Sequence, residues 1–218
     1  MNQTSTARPN TSDMIRLHRV FRDAFGCAAQ LVGSASTDDP ERVACVAAYY
    51  ANVLAFLHAH HEGEDELLWP KLMERAPAQA AMIARIAGQH EGVLTWLEAA
   101  EIRLADWVAD PNIDRGAALA SALATLGAEL GLHLDDEERH ILPLAAEHLT
   151  VAEWGELPGH GMRAFRGDKM WLVLGLIQEQ MTPEGIAEMD AHLPPPVREF
   201  WTTAGRPQFE SFVAALRN

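Results

Sequence analysis

Six residues of this chain have types and spacings suited to holding metal ions: His18, His60, Glu64, His90, His133 and Glu137. His60 with Glu64, and His133 with Glu137, stand four apart. On an α-helix that step advances one turn and about 40° around the axis, so both side chains of a pair reach towards one point in space. Each pair is half of a metal site. Two neutral imidazoles and one carboxylate form a ligand set associated with non-heme iron when coordination positions stay open for water, oxygen or substrate.

The chain supplies that set twice. HHEGEDELLWP, residues 60 to 70, aligns without gaps on HLDDEERHILP, residues 133 to 143, so that histidine, acid and proline coincide. His18 precedes the first segment by nearly the same step as His90 precedes the second. Two sets suggest a two-metal centre. Two ferrous ions would bring four positive charges while Glu64 and Glu137 offset two, so an oxo or hydroxo bridge is expected to supply the rest. Zinc also takes histidine and carboxylate ligands, but the paired arrangement and the open positions favour iron.

Four amphipathic helices are expected to position these residues, with apolar residues recurring at three- and four-residue steps. Helix A runs from about Ser12 to Val32 and stops at Gly33, its stripe being Met14, Phe21 and Phe25, with Arg16, Arg19 and Arg22 outward. Helix B runs from about Pro40, capped by Asp39, to Trp69, where Pro70 lacks an amide. Helix C runs from about Ala78 to Val108. Helix D runs from about Ile113 through Glu138 and meets Pro143 soon after. Short connections make consecutive helices antiparallel neighbours, which predicts an all-α, antiparallel up-down four-helix bundle over residues 12–147. Residues 1–11 read as a disordered leader, and residues 148–218 as a C-terminal helical annex.

The stripes carry the histidines inward. Tyr50, Val53 and Leu57 lead to His60; Leu123, Leu126 and Leu130 lead to His133; Ile83, Ile86 and Leu97 flank His90. Four histidines and two carboxylates in a bundle core would be costly without partners, and bound cations remove that objection. Helix B offers three frames, since His58 with Glu62 and His61 with Asp65 share the four-residue spacing. The proline-anchored alignment selects His60 and Glu64, with one frame facing inward, and leaves His61 as second choice, hydrogen-bonding an iron-bound group. Asp65, Asp136 and Glu138 read as solvated or at most as partners of ligands. His140 reads as packing at the bundle end, and Trp69, Trp96 and Trp107 as packing residues. Glu137-x-x-His140 imitates a ferritin-like element, but helix B carries no second copy.

These features resemble the hemerythrin and HHE cation-binding superfamily across about residues 12 to 145, on the ordered set His18, His60-x-x-x-Glu64, His90 and His133-x-x-x-Glu137 and the prolines beyond the second and fourth helices. The resemblance implies a hemerythrin-like fold and a non-heme di-iron centre bridged by carboxylates, most naturally Glu64 and Glu137. It implies a small oxidant ligand: oxygen, nitric oxide or peroxide. One departure stands out. Where the animal oxygen carriers place a second histidine one turn after the first on the third helix, this chain has Leu94 after His90, so one iron ligand is missing and reversible oxygen transport is in doubt. Whether the oxidant is bound or turned over, as in peroxide disproportionation, stays open, and an iron-sensing or iron-buffering module that signals through its annex is the alternative.

Composition narrows the partners. The 31 acidic residues against 17 Lys and Arg give a formal charge of -14, which repels a phosphate backbone and gives no basis for nucleic-acid binding. Clean apolar stretches such as Met170 to Ile177 are far short of the roughly 20 residues that span a bilayer. No membrane association is expected, and the polar N-terminal stretch lacks a secretory apolar core, which reads as a cytoplasmic protein. Cys27 and Cys45 make no disulfide framework. In the C-terminal third, Thr150 with Glu153 forms a capping box, and Thr182 with Pro183 opens another helix. Pro194, Pro195 and Pro196 read as an extended connector. His160 and His192, with no acid four residues on, read as exposed or capping, and the annex as a surface open to a protein partner.

Overall fold

The computed structural model describes residues 8–35 and 38–218, and these are helical with no strand among them. Most of the expected leader, residues 1–7, lies outside the described residues; of the rest, Pro9 is buried and Asn10 Oδ1 accepts the Ser12 amide at 3.1 Å. Helix α1 is Ser12–Gly26, continued after a break at Cys27 by Ala28–Gly33. Helix α2 is Pro40–Arg75. A 3-10 turn, Pro77–Gln79, and the short helix Ala80–Ala87 lead through Gly88 into α3, Gln89–Ala109. Helix α4 is Ile113–His148.

Local chemistry sets the starts. The Asp39 carboxylate accepts the Arg42 amide at 2.9 Å with Pro40 in the first turn, and Asn112 does the same for Arg115 at 2.9 Å. The stops differ from the sequence expectation. Helix A is broken after Gly26 and helix C is divided at Gly88, both residues with low helix propensity. Helices B and D do not end before their prolines: each passes through its proline by a wider turn. The Trp69 amide bonds to Glu64 O, and the Leu142 amide to Glu137 O, five residues back. Pro70 and Pro143 have no N–H to give and their rings crowd the carbonyl four back, and a π turn relieves both faults without ending the helix. The same solution recurs at Trp201–Gly205, just before Pro207.

The helices close into a bundle. Helix α4 packs along α3 and against α1 and Ala28–Gly33, while α2 packs on α3 and α1. Their apolar residues form two clusters. One holds Phe21, Tyr50, Leu57, Leu97, Trp107 and Leu126; the other holds Met14, Leu68, Trp69, Ile83, Ile86 and Ile141. The segments His60–Glu64 and His133–Glu137 run between them, so the polar residues form a layer within an otherwise apolar interior. Trp69 and Trp107 are buried as expected, whereas Trp96 is exposed.

The C-terminal third begins with Val151–Trp154, opened by the Thr150–Glu153 capping box. Helices α5 (Glu156–Ala164), α6 (Met170–Glu179), α7 (Pro183–His192) and α8 (Arg206–Arg217) follow. The Thr182 hydroxyl caps α7 at the Gly185 amide. Of the three consecutive prolines only Pro194 is an extended connector, because Pro195 already starts the helix Pro195–Phe200, where a fixed φ suits the first turn. Helices α5, α6 and α8 pack on α2, and α6 also meets α1. Leu172, Val173 and Leu176 of α6 and Phe209, Val213 and Leu216 of α8 join the same core as Val20, Tyr49 and Val53. Gly175 allows this close approach, since a Cβ there would overlap the Phe209 ring.

Two helices, Pro40–Arg75 and Ile113–His148, are long and apolar enough to cross a membrane by length and composition, although polar residues interrupt the apolar runs of both. In Pro40–Arg75 the apolar window is 67% buried within the protein; in Ile113–His148 it is 33% buried, and much of its apolar character comes from alanine.

Candidate metal centre

Helices α1 to α4 deliver all six sequence-selected residues to one buried layer. His18 and Glu137 are 0% exposed, as is Glu64, and His60, His90 and His133 are buried with them. A seventh residue joins them. His61 is as buried as His60, and its ring stacks on His90 with centroids 4.1 Å apart. The donor atoms fall into two groups, in each of which one atom per residue lies within 4.8 Å of all the others: His18, His60, Glu64 and Glu137 in one, His61, Glu64, His90 and His133 in the other. Glu64 belongs to both.

The expectation that a single frame of helix B faces inward therefore fails. Helix α2 is packed on more than one side, by α1, α3, α5, α6 and α8, so residues about 100° apart around its axis can both be interior. His61 goes in while Asp65, four residues on, stays exposed, and His58 faces out beside Glu62 at 3.5 Å. The signal in the sequence was the surround of apolar residues on helix B, among them Val43, Val46, Tyr49, Leu54 and Phe56. His61 adds a third histidine to the group at His90, whereas Leu94, one turn after His90, is 39% exposed and lines a groove with Ala51, Asn52 and His58.

Donor chemistry fits a cation. Nε2 of His18, His60 and His61 and both carboxylate oxygens of Glu64 and Glu137 are buried without a hydrogen-bond partner. His18 Nε2 approaches Glu137 Oε2 at 3.3 Å, His90 Nε2 approaches Glu64 Oε2 at 3.3 Å, and His60 Nε2 approaches Glu64 Oε1 at 3.4 Å, longer than a good N–H···O bond. Unmet polar groups in an interior are costly, and this concentration of them around shared points is what metal ions with bonds of about 2.1 Å would satisfy.

Outward-facing ring nitrogens, by contrast, are held. Glu138 Oε1 lies 2.9 Å from His18 Nδ1, Asp65 Oδ1 lies 2.8 Å from His90 Nδ1, and Gln89 Oε1 lies 3.2 Å from His133 Nδ1. Asp136 accepts from Gln89 Nε2 at 3.0 Å and from Arg85 at 2.8 Å. Arg22, expected outward, is drawn onto Glu138 and Asp135. Thus Asp65 and Glu138 bond directly to candidate ligands, and Asp136 reaches His133 through Gln89. His160, expected exposed or capping, is buried against Gly63, and its Nε2 lies 2.9 Å from Glu66; His192 is exposed, with Nδ1 2.7 Å from Glu188 O, as a capping role requires.

Electrostatics among these side chains follow from burial opposed by charge. Burial alone would lower the His18 imidazole, but the charge of Glu137 beside it and the bond to Glu138 carry it up to about 9. His90 is likewise lowered by burial and raised further by Asp65 and Glu64, to about 9. Burial and neighbouring imidazolium charge hold His60 and His61 well below the ordinary value and His133 near 4. Glu64 is pushed up by burial and by Glu137, whereas Glu137 is pulled down, against its burial, mainly by His18.

A family model described as the hemerythrin HHE cation-binding domain matches residues 10–145. The chain belongs to the hemerythrin family. No curated protein and no solved structure matches the chain. The hemerythrin match covers all seven layer residues and stops short of the helices from Val151 onward.

Proposed function

We propose that this hemerythrin-family protein is a cytoplasmic non-heme di-iron protein, folded as an antiparallel up-down bundle over residues 12–147, that binds or reacts with a small oxidant such as oxygen, peroxide or nitric oxide. The observation that carries this reading is the pair of buried donor groups sharing Glu64. Glu64 would bridge, with Glu137 as second bridge, since His133 Nε2 lies 3.8 Å from Glu137 as well as beside His90. His18 and His60 would complete one position; His61, His90 and His133 the other. Bound iron would supply the electron transfer to the oxidant.

The chain's own groups supply geometry and exclusion of water. His18 and both glutamates are sealed from solvent, and His60, His61 and His90 are nearly so at 7% exposed each, with Trp69 edge-on to the His90 ring at 5.5 Å. No acid, base or nucleophile other than the ligands is needed within the layer. The three-histidine group would also accept zinc, which iron analysis separates. The net charge of -14 supports a partner that is neither nucleic acid nor an anionic membrane.

The test is iron per chain and the absorption spectrum, on protein reduced without oxygen and then exposed to air. About two irons with new near-ultraviolet charge-transfer bands support the reading. No iron and no spectral change refute it. A second reading, an iron sensor or buffer, is favoured by one observation: the annex helices α6 and α8 share a core with α1 and α2. It requires that removing iron loosens the annex; an enzyme would keep its fold and lose only turnover.

A further inference from the structure

The aligned segments 60–70 and 133–143 agree in one more respect. The residue directly after each glutamate is also an acid, Asp65 in the first and Glu138 in the second. Each reaches the lone histidine of the other half. Asp65, on α2, holds Nδ1 of His90 at 2.8 Å, while Glu138, on α4, holds Nδ1 of His18 at 2.9 Å. The preceding glutamates face the opposite edges of the same rings: Glu64 Oε2 lies 3.3 Å from His90 Nε2, and Glu137 Oε2 lies 3.3 Å from His18 Nε2. Each ring is therefore clamped by two consecutive residues of one helix.

The π turns account for that unusual reach. Both begin at the glutamate, and a turn closed five residues back has more residues per turn than an α-helix, so neighbouring side chains diverge by less than 100°. Two adjacent acids can then address the two edges of one imidazole. A carboxylate accepting from Nδ1–H fixes the tautomer that leaves Nε2 for a metal and makes the ring a stronger donor. The two rings are 0% and 8% exposed, while the carboxylates that hold them, Glu138 and Asp65, are 25% and 55% exposed, so each pair joins a buried ring to an acid that reaches solvent.

We propose that Asp65 and Glu138 are positioning residues, crossed between the two halves of the chain, and that each governs retention of one of two metal ions: Asp65 the ion at His61, His90 and His133, Glu138 the ion at His18 and His60. This rests on the metal-binding reading above. It adds that the two positions are set independently, each by the acid following the other half's glutamate.

Anaerobic titration of the metal-free full chain with cobalt(II), followed by its visible absorption and by the rate of release to a chelator, tests it. Wild-type protein takes up two equivalents. Asp65→Ala is expected to weaken one equivalent by ~10–100-fold, Glu138→Ala the other, and the double variant both. Asp65→Asn and Glu138→Gln keep an acceptor but lose the charge, so each falls between wild type and its alanine variant; should an alanine variant fail to fold, the amide variant carries the test. Unchanged affinity in folded Asp65→Asn and Glu138→Gln, or loss of both equivalents together in each single variant, overturns the proposal. Wild-type protein that binds no cobalt and no iron removes the metal reading itself, a distinct result from two equivalents that ignore Asp65 and Glu138.

Discussion

His18 and His90 each rise to about 9, and Glu64 is raised too, so these groups hold protons at neutral pH that an incoming cation must displace. Ligands bind metal in their deprotonated form, hence loading at pH 7 should release protons, and apparent affinity should climb as pH rises from 7 towards 9 and level off above. An indicator dye in weakly buffered solution reads the release directly; loading without any would contradict the raised values. His61 calls for a different test. It is neutral at pH 7, being held well below its usual value by burial and by the charge of His90, so replacing it removes no charge. Its counterpart after His133 is Leu134, fully buried. His61→Leu should therefore leave the metal-free protein as stable as before or more so, while weakening one metal equivalent by at least ~10-fold, since losing a ligand costs no less than losing an outer partner. Equal metal affinity in wild type and variant would show that His61 only stacks on His90.

The elements that hold these residues depend on two prolines. Pro70 and Pro143 lie just beyond the π turns that start at Glu64 and Glu137, and alanine in their place could return an amide to the carbonyl four back and let a regular α-helix form. Pro143→Ala should therefore keep or raise the thermal midpoint of the metal-free protein yet loosen metal, because removing the extra residue of the turn rotates Glu137 and Glu138 away from His18. Metal retained at wild-type strength would mean that the layer, not the proline, maintains the turn. These turns also mark what the sequence could and could not tell. The helix start at Asp39, the Thr150 and Thr182 caps and the convergence of six ligand-type residues were legible, since each rests on a local spacing or a side chain next to the amide it caps. The passage of α2 and α4 through their prolines was not, because a proline reads as a stop until a wider turn with packing on both sides sustains the helix. His61 was read only as second choice for a related reason: one inward face is a rule for a helix with one dry side, and α2 has several.

At the scale of the whole molecule, the family match ends at residue 145 but the core does not. Trp201, Phe209, Val213 and Leu216 are buried in one cluster with Phe21, Tyr50 and Leu57, and Arg42 of α2 donates to the Ala215 and Leu216 carbonyls at 2.7 and 2.6 Å. Phe21 itself lies against His60, with ring centroids 5.4 Å apart. Stability held at the layer must then reach α8. A ligand that binds only the folded state adds about 2.7 kcal/mol at a hundredfold excess over its dissociation constant, and in a molecule with one shared core that increment belongs to every element that unfolds with it. The protein should unfold in a single transition, and hydrogen exchange of Arg206–Arg217 should slow on loading with iron as much as that of Ile113–Asp136. Exchange in the last helix that ignores iron, with slowing confined to the bundle, would make the annex an independent unit and end the case for a sensor that signals through it.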